Sequence, residues 1–349
     1  MSRQDHIRDF SITPVSTSVM LAILLALTFL SVVSCSKKAE VHQTLIGYDQ
    51  AEDTFVKIEF GPARYDLPVS AVALSSDGNF ASIPIRSFGY NPTWILGTTS
   101  LPVTNESLVV RKWPSSGRST YHIVNYTTFE TLHTIDARYV HHNKTTGSTL
   151  FEDDGEYFCW TGTDLISIIN KNSSNPILSC SRDNENLKYT ALDTEKHEIL
   201  LVQHDDDIRT VLTRLYLGDF DQRLSFLDVQ ILPDHVVVLG RYSDEMSHFT
   251  QRISVFDRGG GLKMTASNEK RCEFIVYTNS NLVLRCGGII NSYEIDLDDL
   301  ELASFDCSSR DVRCWPFWSR EKQQFYVARW SHSTFSVQSL GESLEGLIN

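Results

Sequence analysis

From Leu45 onward the apolar residues of this chain recur at alternate positions in short runs, and almost nowhere at the three-and-four spacing of a helix face. The runs are rich in Val, Ile, Tyr, Phe and Thr, and clusters of Gly, Asn, Asp and Ser separate them. Alternation over four to eight residues between turn-forming clusters predicts half-buried strands. The expected class is all-β.

A turn cluster followed by a β-run recurs along the chain. Ser76-Asp77-Gly78 precedes the run at 80–85, Ser116-Gly117 that at 120–124, Asp154-Gly155 that at 157–160, and Asp193-Thr194-Glu195 that at 199–202. Pro233-Asp234 precedes 236–239, Asn279-Ser280 precedes 282–285, and Ser319-Arg320-Glu321 precedes 325–328. With positions 77, 117, 154, 193, 234, 279 and 321 as markers, the intervals are 40, 37, 39, 41, 45 and 42. Units of about forty residues holding four short strands suit a β-propeller, whose small sheets bury their faces only against neighbouring sheets. The expectation is seven blades over residues 45–349, with tandem β-sandwiches as the alternative, since turns every eight to twelve residues suit sandwiches too. The segment Leu74-Ser75-Ser76-Asp77-Gly78-Asn79-Phe80-Ala81 resembles the hairpin of WD-repeat and related propellers, with Ser76 where those repeats often carry proline.

Residues 19–35 break the pattern with a continuous apolar stretch ending on a small residue and a cysteine. It is short for a membrane span and has the length of an export signal's apolar core. Its last four residues, Val32-Val33-Ser34-Cys35, resemble the lipobox of bacterial lipoproteins. The resemblance implies cleavage before Cys35, lipid attachment to that cysteine, and a chain held in the cell envelope, in the outer membrane facing the periplasm. Residues 1–34 are then a signal peptide and 35–44 a tether. The alternative is an uncleaved anchor, because Arg3 and Arg8 are balanced by Asp5 and Asp9 where export signals carry net positive charge.

An extracytoplasmic location changes how the cysteines read. Beyond Cys35 there are six, Cys159, Cys180, Cys272, Cys286, Cys307 and Cys314, an even set in a compartment where disulfides persist. Cys272 and Cys286 lie seven residues either side of position 279, so a hairpin turning there places them opposite one another. Facing residues sit roughly 4.5 Å apart at Cα in a non-hydrogen-bonded pair, close enough for a disulfide. The blade reading favours sequential pairs, with Cys159–Cys180 inside the third blade and Cys307–Cys314 closing a loop. None has the spacing of a zinc or thioredoxin-type motif.

The net charge of −13 survives removal of residues 1–34 and argues against a nucleic-acid partner, which needs clustered Lys and Arg. A basic protein partner is the natural complement. The densest acidic run is His204-Asp205-Asp206-Asp207, between two β-runs. Asp205, Asp206 and Asp207 form a patch for such a partner, or else a solvated hairpin tip. His141-His142 are adjacent, so on a strand they face opposite sides and share no metal. Trp315-Pro316-Phe317-Trp318 is an aromatic cluster that either packs inside the last unit or is an exposed partner patch. No nucleophile, metalloprotease or phosphate-loop motif is present, and no cofactor or metal is expected.

These features favour binding over catalysis. The resemblances imply an envelope lipoprotein acting as a protein-binding module, such as an assembly factor similar to the propeller lipoprotein of the outer-membrane assembly machine, or an immunity protein that neutralises a toxin. The alternative is a propeller hydrolase or lyase acting on envelope or extracellular glycans, whose mark is convergence of Asp, Glu, His or Arg from different blades at the channel.

Overall fold

The computed structural model describes residues 43–60, 69–75, 80–85, 102–112, 120–128, 130–169, 175–183, 186–205, 208–217, 223–243, 249–277, 281–287, 289–294, 301–306, 313–319, 321–330 and 335–341. Among them there are 27 strands and no helix. Sheet one holds β1 (Gln43–Asp49), β2 (Thr54–Phe60), β3 (Val69–Ser75) and β4 (Phe80–Ile85); sheet two holds β5 (Val103–Thr104), β6 (Ser107–Lys112), β7 (Thr120–Asn125) and β8 (Thr131–Asp136). Sheet three holds β9 (Arg138–His142), β10 (Thr149–Asp153), β11 (Glu156–Trp160) and β12 (Leu165–Ile169); sheet four holds β13 (Ile177–Asp183), β14 (Asn186–Asp193), β15 (Glu198–Asp205) and β16 (Ile208–Tyr216). Sheet five holds β17 (Arg223–Ile231), β18 (His235–Ser243), β19 (Phe249–Asp257) and β20 (Leu262–Asn268); sheet six holds β21 (Cys272–Tyr277), β22 (Asn281–Cys286), β23 (Ile289–Glu294) and β24 (Glu301–Asp306). The last sheet has three strands, β25 (Arg313–Ser319), β26 (Gln324–Trp330) and β27 (Phe335–Gly341).

Every sheet is an antiparallel meander in chain order, the topology of a propeller blade. The second strand β18 is sandwiched on both faces, which is why it carries the continuous apolar run Val236-Val237-Val238-Leu239. Along β18, Val236 and Val238 join Ile199 and Leu201 of sheet four, while Val237 and Leu239 join Leu282 and Leu284 of sheet six. Burying each such side chain stabilises the fold by about 1.5–3 kcal/mol. One strand thus belongs to two cores, an arrangement that tandem sandwiches do not produce. Between neighbouring sheets the first strands approach one another, as β1 with β5, β9 with β13, β13 with β17 and β21 with β25. The first strands are therefore the inner edges of the ring, and the fourth strands, exposed along β8, β16 and β20, the outer ones.

The ring closes between the first and last sheets. Phe317 of β25 packs edge-on against Phe55 at 5.0 Å between ring centroids and against Tyr48 at 5.8 Å, and Tyr326 packs on Phe55 at 5.7 Å. Phe317 and Trp318 are buried, so these members of the aromatic cluster serve packing. Asp53 locks the seam, accepting from the Ser319 hydroxyl at 2.7 Å and from the Tyr48 hydroxyl. Across the other side of sheet one, the buried Asp49 carboxylate accepts from the backbone N–H groups of Asn105 (3.0 Å) and Glu106 (2.8 Å) and from the Tyr126 hydroxyl (3.1 Å). Asn105 and Glu106 both have positive φ, the form of a two-residue hairpin turn, and this points their N–H groups at the carboxylate.

Three expectations change. Among the described residues there are six complete four-stranded blades where the spacing predicts seven, and the last marker falls in a sheet of three described strands. The markers also do not occupy equivalent places. In chain order position 77 comes between the third and fourth strands of its sheet; 117, 154 and 193 come where second strands give way to third; 234, 279 and 321 come between first and second strands. The even spacing averages over a drift of two strands, because any tight turn in a meander carries the same residues. Finally, Cys159 and Cys180 do form a disulfide, with Cα atoms 6.2 Å apart, but Cys159 is on β11 and Cys180 on β13, so the bond joins neighbouring blades and not strands of one blade. Cys272–Cys286 matches the hairpin expectation, being directly paired across β21 and β22 with Cα atoms 4.0 Å apart. Cys35, Cys307, Asp206 and Asp207 lie outside the described residues, as does the side chain of Cys314.

Candidate functional site

The candidate site lies where inner strands converge, on the link between β9 and β10. Asn143 shapes this link: its side-chain oxygen accepts from the N–H groups of Thr145 (3.0 Å) and Thr146 (3.1 Å), an Asx turn that holds the loop in one conformation. Its side-chain amide donates to the carbonyl of Ile231 on β17 at 2.9 Å, and the Lys144 N–H donates to Gln230 Oε1 at 3.2 Å. Gly147, with φ of 76°, lies so close to sheet two that an added Cβ would sit 2.3 Å from Thr104 Oγ1. One loop of sheet three thus touches sheet two beside it and sheet five beyond sheet four.

His141 continues this bridge. Its Nε2 lies 2.8 Å from Asp228 Oδ1 of β17, and the Gln230 side-chain amide lies 2.8 Å from the same nitrogen. Burial raises the Asp228 carboxyl, but the hydrogen bond and charge of His141, with Lys144 and Gln230, hold it on balance below its ordinary value. An ionised carboxylate accepts, so Nε2 carries the hydrogen, and the Gln230 amide donates instead to Asp228 Oδ1 (3.3 Å) and the His142 carbonyl (3.5 Å). His141 Nδ1 is buried without a hydrogen-bond partner among the described residues.

Lys144 adds charge from sheet six. Burial lowers its ammonium, while Glu273 and Asp228 act in the opposite direction and Arg285 reinforces the lowering. His142 points to the other face, where its Nδ1 lies 3.0 Å from Thr149 Oγ1; burial, then His141 and Lys144, lower it to about 3, so it is neutral at physiological pH. The two histidines therefore have separate partners, as adjacent strand positions require. No group of three metal-ligating side chains comes together among the described residues.

The structure thus gathers His141, Lys144, Asp228, Glu273 and Arg285 from three sheets. Of these, only His141 stands out in the sequence. Asp228 and Gln230 are legible afterwards as two polar residues two apart, on one face of the strand's otherwise apolar second half, LDVQI. Asn143 and Gly147 mark the loop by turn chemistry. Asp205 is exposed at the end of β15, far from this cluster in the sheet: it faces Ile208 across the β15–β16 hairpin on the outer side of sheet four.

As an acid–base pair the arrangement is inverted. A catalytic histidine held by a carboxylate presents its other nitrogen to substrate, and here that nitrogen is buried. The cluster's hydrogen bonds join blades, which makes it a clasp across the ring.

No family model matches the chain, and no curated protein matches it. Solved structures are similar to it at very low identity. Hsv2 of Kluyveromyces lactis is 10% identical, covering 85% of this chain and 98% of its own, with a TM-score of 0.45. Sqt1 of Saccharomyces cerevisiae is 9% identical, covering 84% and 82%, with a TM-score of 0.43. Prolyl oligopeptidase B from Galerina marginata is 8% identical, covering 86% of this chain and 48% of its own, with a TM-score of 0.48.

Proposed function

We propose that this chain is a protein-binding propeller held outside the cytoplasm by lipid on Cys35, working through its exterior. The observation that carries the reading is the clasp: Asn143, His141 and Lys144 bond to β17 and so spend the polar groups of the ring's centre on one another. Among the described residues this favours recognition through the outer surface, with an acidic balance of −13 that suits a basic partner. The three-stranded sheet β25–β27 is read as the seventh blade, since Phe317 and Ser319 seat it against sheet one. An assembly platform and a toxin-neutralising immunity protein both fit this description.

The alternative, a glycan hydrolase or lyase, is favoured by the convergence of His141, Asp228, Glu273 and Arg285 near Lys144. Against it stand the buried Nδ1 of His141 and an Asp228 carboxylate already engaged by His141 and Gln230.

Labelling cells with radioactive palmitate and purifying the full-length chain from detergent-solubilised membranes tests the proposal. Incorporation abolished by Cys35→Ala, together with a stoichiometric protein that elutes as salt rises, supports it. A chain that takes up no label and co-purifies with no protein contradicts it.

A further inference from the structure

The sequence carries four triplets of the form Asn-x-Ser/Thr: Asn105-Glu106-Ser107, Asn125-Tyr126-Thr127, Asn143-Lys144-Thr145 and Asn172-Ser173-Ser174, the last outside the described residues. Such a triplet is the acceptor for an asparagine-linked glycan, a bulky group that folded proteins carry on their surface. The structure separates the other three. Asn105 is exposed at the β5–β6 turn, and Asn125 is half-buried at the end of β7 beside the exposed Thr127. Asn143 is 0% exposed.

Asn143 is also committed chemically. Its side-chain amide donates to the Ile231 carbonyl at 2.9 Å, its side-chain oxygen accepts from the N–H groups of Thr145 and Thr146, and its backbone N–H donates to the Ser148 carbonyl at 2.8 Å. Its partners Thr145, Ser148 and Ile231 are themselves only 1% exposed, so a sugar on Nδ2 has no room unless the link leaves β17. Aspartate would lose the donor to Ile231, and glutamine the short reach of the Asx turn, so the fold fixes an asparagine here. Thr145 is not fixed in the same way: its Oγ1 is buried with no hydrogen-bond partner among the described residues.

Burial protects Asn143 only once the ring is folded. Where glycans are transferred, the transferase meets the chain as it crosses a membrane, before the link docks. The Asn Nδ2 then joins the anomeric carbon of a lipid-pyrophosphate-linked oligosaccharide, that carbon's bond to the pyrophosphate oxygen breaks, and one amide hydrogen leaves as a proton. The two disulfides, meanwhile, call for an oxidising compartment.

We propose that Asn143-Lys144-Thr145 is an acceptor for an asparagine-linked glycan whose occupancy excludes the folded ring, and that this chain therefore matures in an oxidising compartment where no such transfer takes place. This rests on the extracytoplasmic part of the reading above and not on lipid at Cys35. It names a modification that the clasp cannot tolerate, at the one residue that both shapes the link and ties it to β17.

The test takes the full-length chain in mild detergent with an oligosaccharyltransferase and a short-chain lipid-pyrophosphate-linked oligosaccharide. In one arm the chain is already folded; in the other it is reduced in urea and diluted to refold while transfer proceeds. Mass spectrometry locates the glycans, and protease resistance reports folding. Thr145→Val is the comparison: it lacks the acceptor hydroxyl, keeps the bonds that Asn143 makes, and carries the other three triplets unchanged. It replaces a buried, unpartnered hydroxyl by a methyl group of the same shape, so it folds. The expected result is a bare Asn143 in the folded arm, a glycan on Asn143 in the refolding arm, and complete loss of protease resistance in the molecules modified there, with more resistant protein recovered from Thr145→Val than from the native chain. Protease-resistant molecules bearing a glycan on Asn143, a bare Asn143 in the refolding arm, or equal recovery of the two chains overturns the proposal. Palmitate labelling at Cys35 is read separately, so failure here leaves the lipid-anchored reading standing, and a Cys35 that takes no label leaves this inference standing.

Discussion

The imidazole of His141 and the carboxylate of Asp228 lie 2.8 Å apart although 87 residues separate them, one on the inner strand of sheet three and the other on that of sheet five. Sequential blades cannot explain such a contact, because sheet four stands between them in chain order. It couples non-neighbouring parts of the ring directly.

Removing the carboxylate should therefore cost stability well beyond one blade. Asp228→Ala leaves the His141 Nε2–H and Gln230 amide without their acceptor, and the expected loss is about 2–3 kcal/mol. Urea unfolding checks it, with an unchanged denaturant slope showing that the whole unit still unfolds together. A change under about 0.5 kcal/mol, the size typical of plain surface positions, contradicts the clasp.

Gly147 supplies a second test of the same bridge. Gly147→Ala meets both a φ of 76° and Thr104 Oγ1 at 2.3 Å, so about 1–3 kcal/mol of strain is expected. Adding Thr104→Gly relieves the clash alone and should restore part of the loss. Equal destabilisation in the single and double variants would place the cost entirely in the backbone.

The sign of the pH dependence follows from His142. Its native value of about 3 lies below the ordinary 6.5, so the unfolded chain binds a proton that the folded one refuses. Its contribution is complete above pH 6.5 and is lost as pH falls toward 3. Asp228, also lowered, contributes above its ordinary 3.8 and loses that only in stronger acid. Between pH 6.5 and 4 the His142 contribution is thus isolated: unfolding free energies at pH 7, 6 and 5 should fall more steeply for the native chain than for His142→Asn. Identical slopes contradict a neutral His142 held below its ordinary value in the folded chain.

The disulfides predict a mapping result. Non-reducing peptide analysis should recover Cys159 joined to Cys180 and Cys272 joined to Cys286. Replacing Cys159 and Cys180 together by alanine removes a closure of sequence separation 21, for an expected cost of about 3 kcal/mol.

The sequence carried the class and the strands clearly, because alternation and turn residues are local signals. Asp154-Gly155, with φ of 48° and 84°, is a tight hairpin just where those residues predict one. The grouping of strands into sheets was not legible, since a turn such as Pro233-Asp234 looks the same whether it joins the first and second strands or the second and third. Cys272–Cys286 was readable from hairpin symmetry, whereas the partners of Cys159 depend on which blade Cys180 enters. Of the inner cluster, His141 drew notice by its neighbour His142; Asp228 and Asn143 did not, because their roles depend on contacts across the ring that no local pattern encodes.

The measurement closest to the central claim compares partner capture by the native full-length chain and by Asp228→Asn, both shown to be folded, alongside an assay of soluble product from envelope glycan. If the ring acts through its exterior, the same protein is retained at the same stoichiometry by both chains and neither releases product. If the native chain releases product and Asp228→Asn does not, the centre of the ring is an active site and the binding account is wrong.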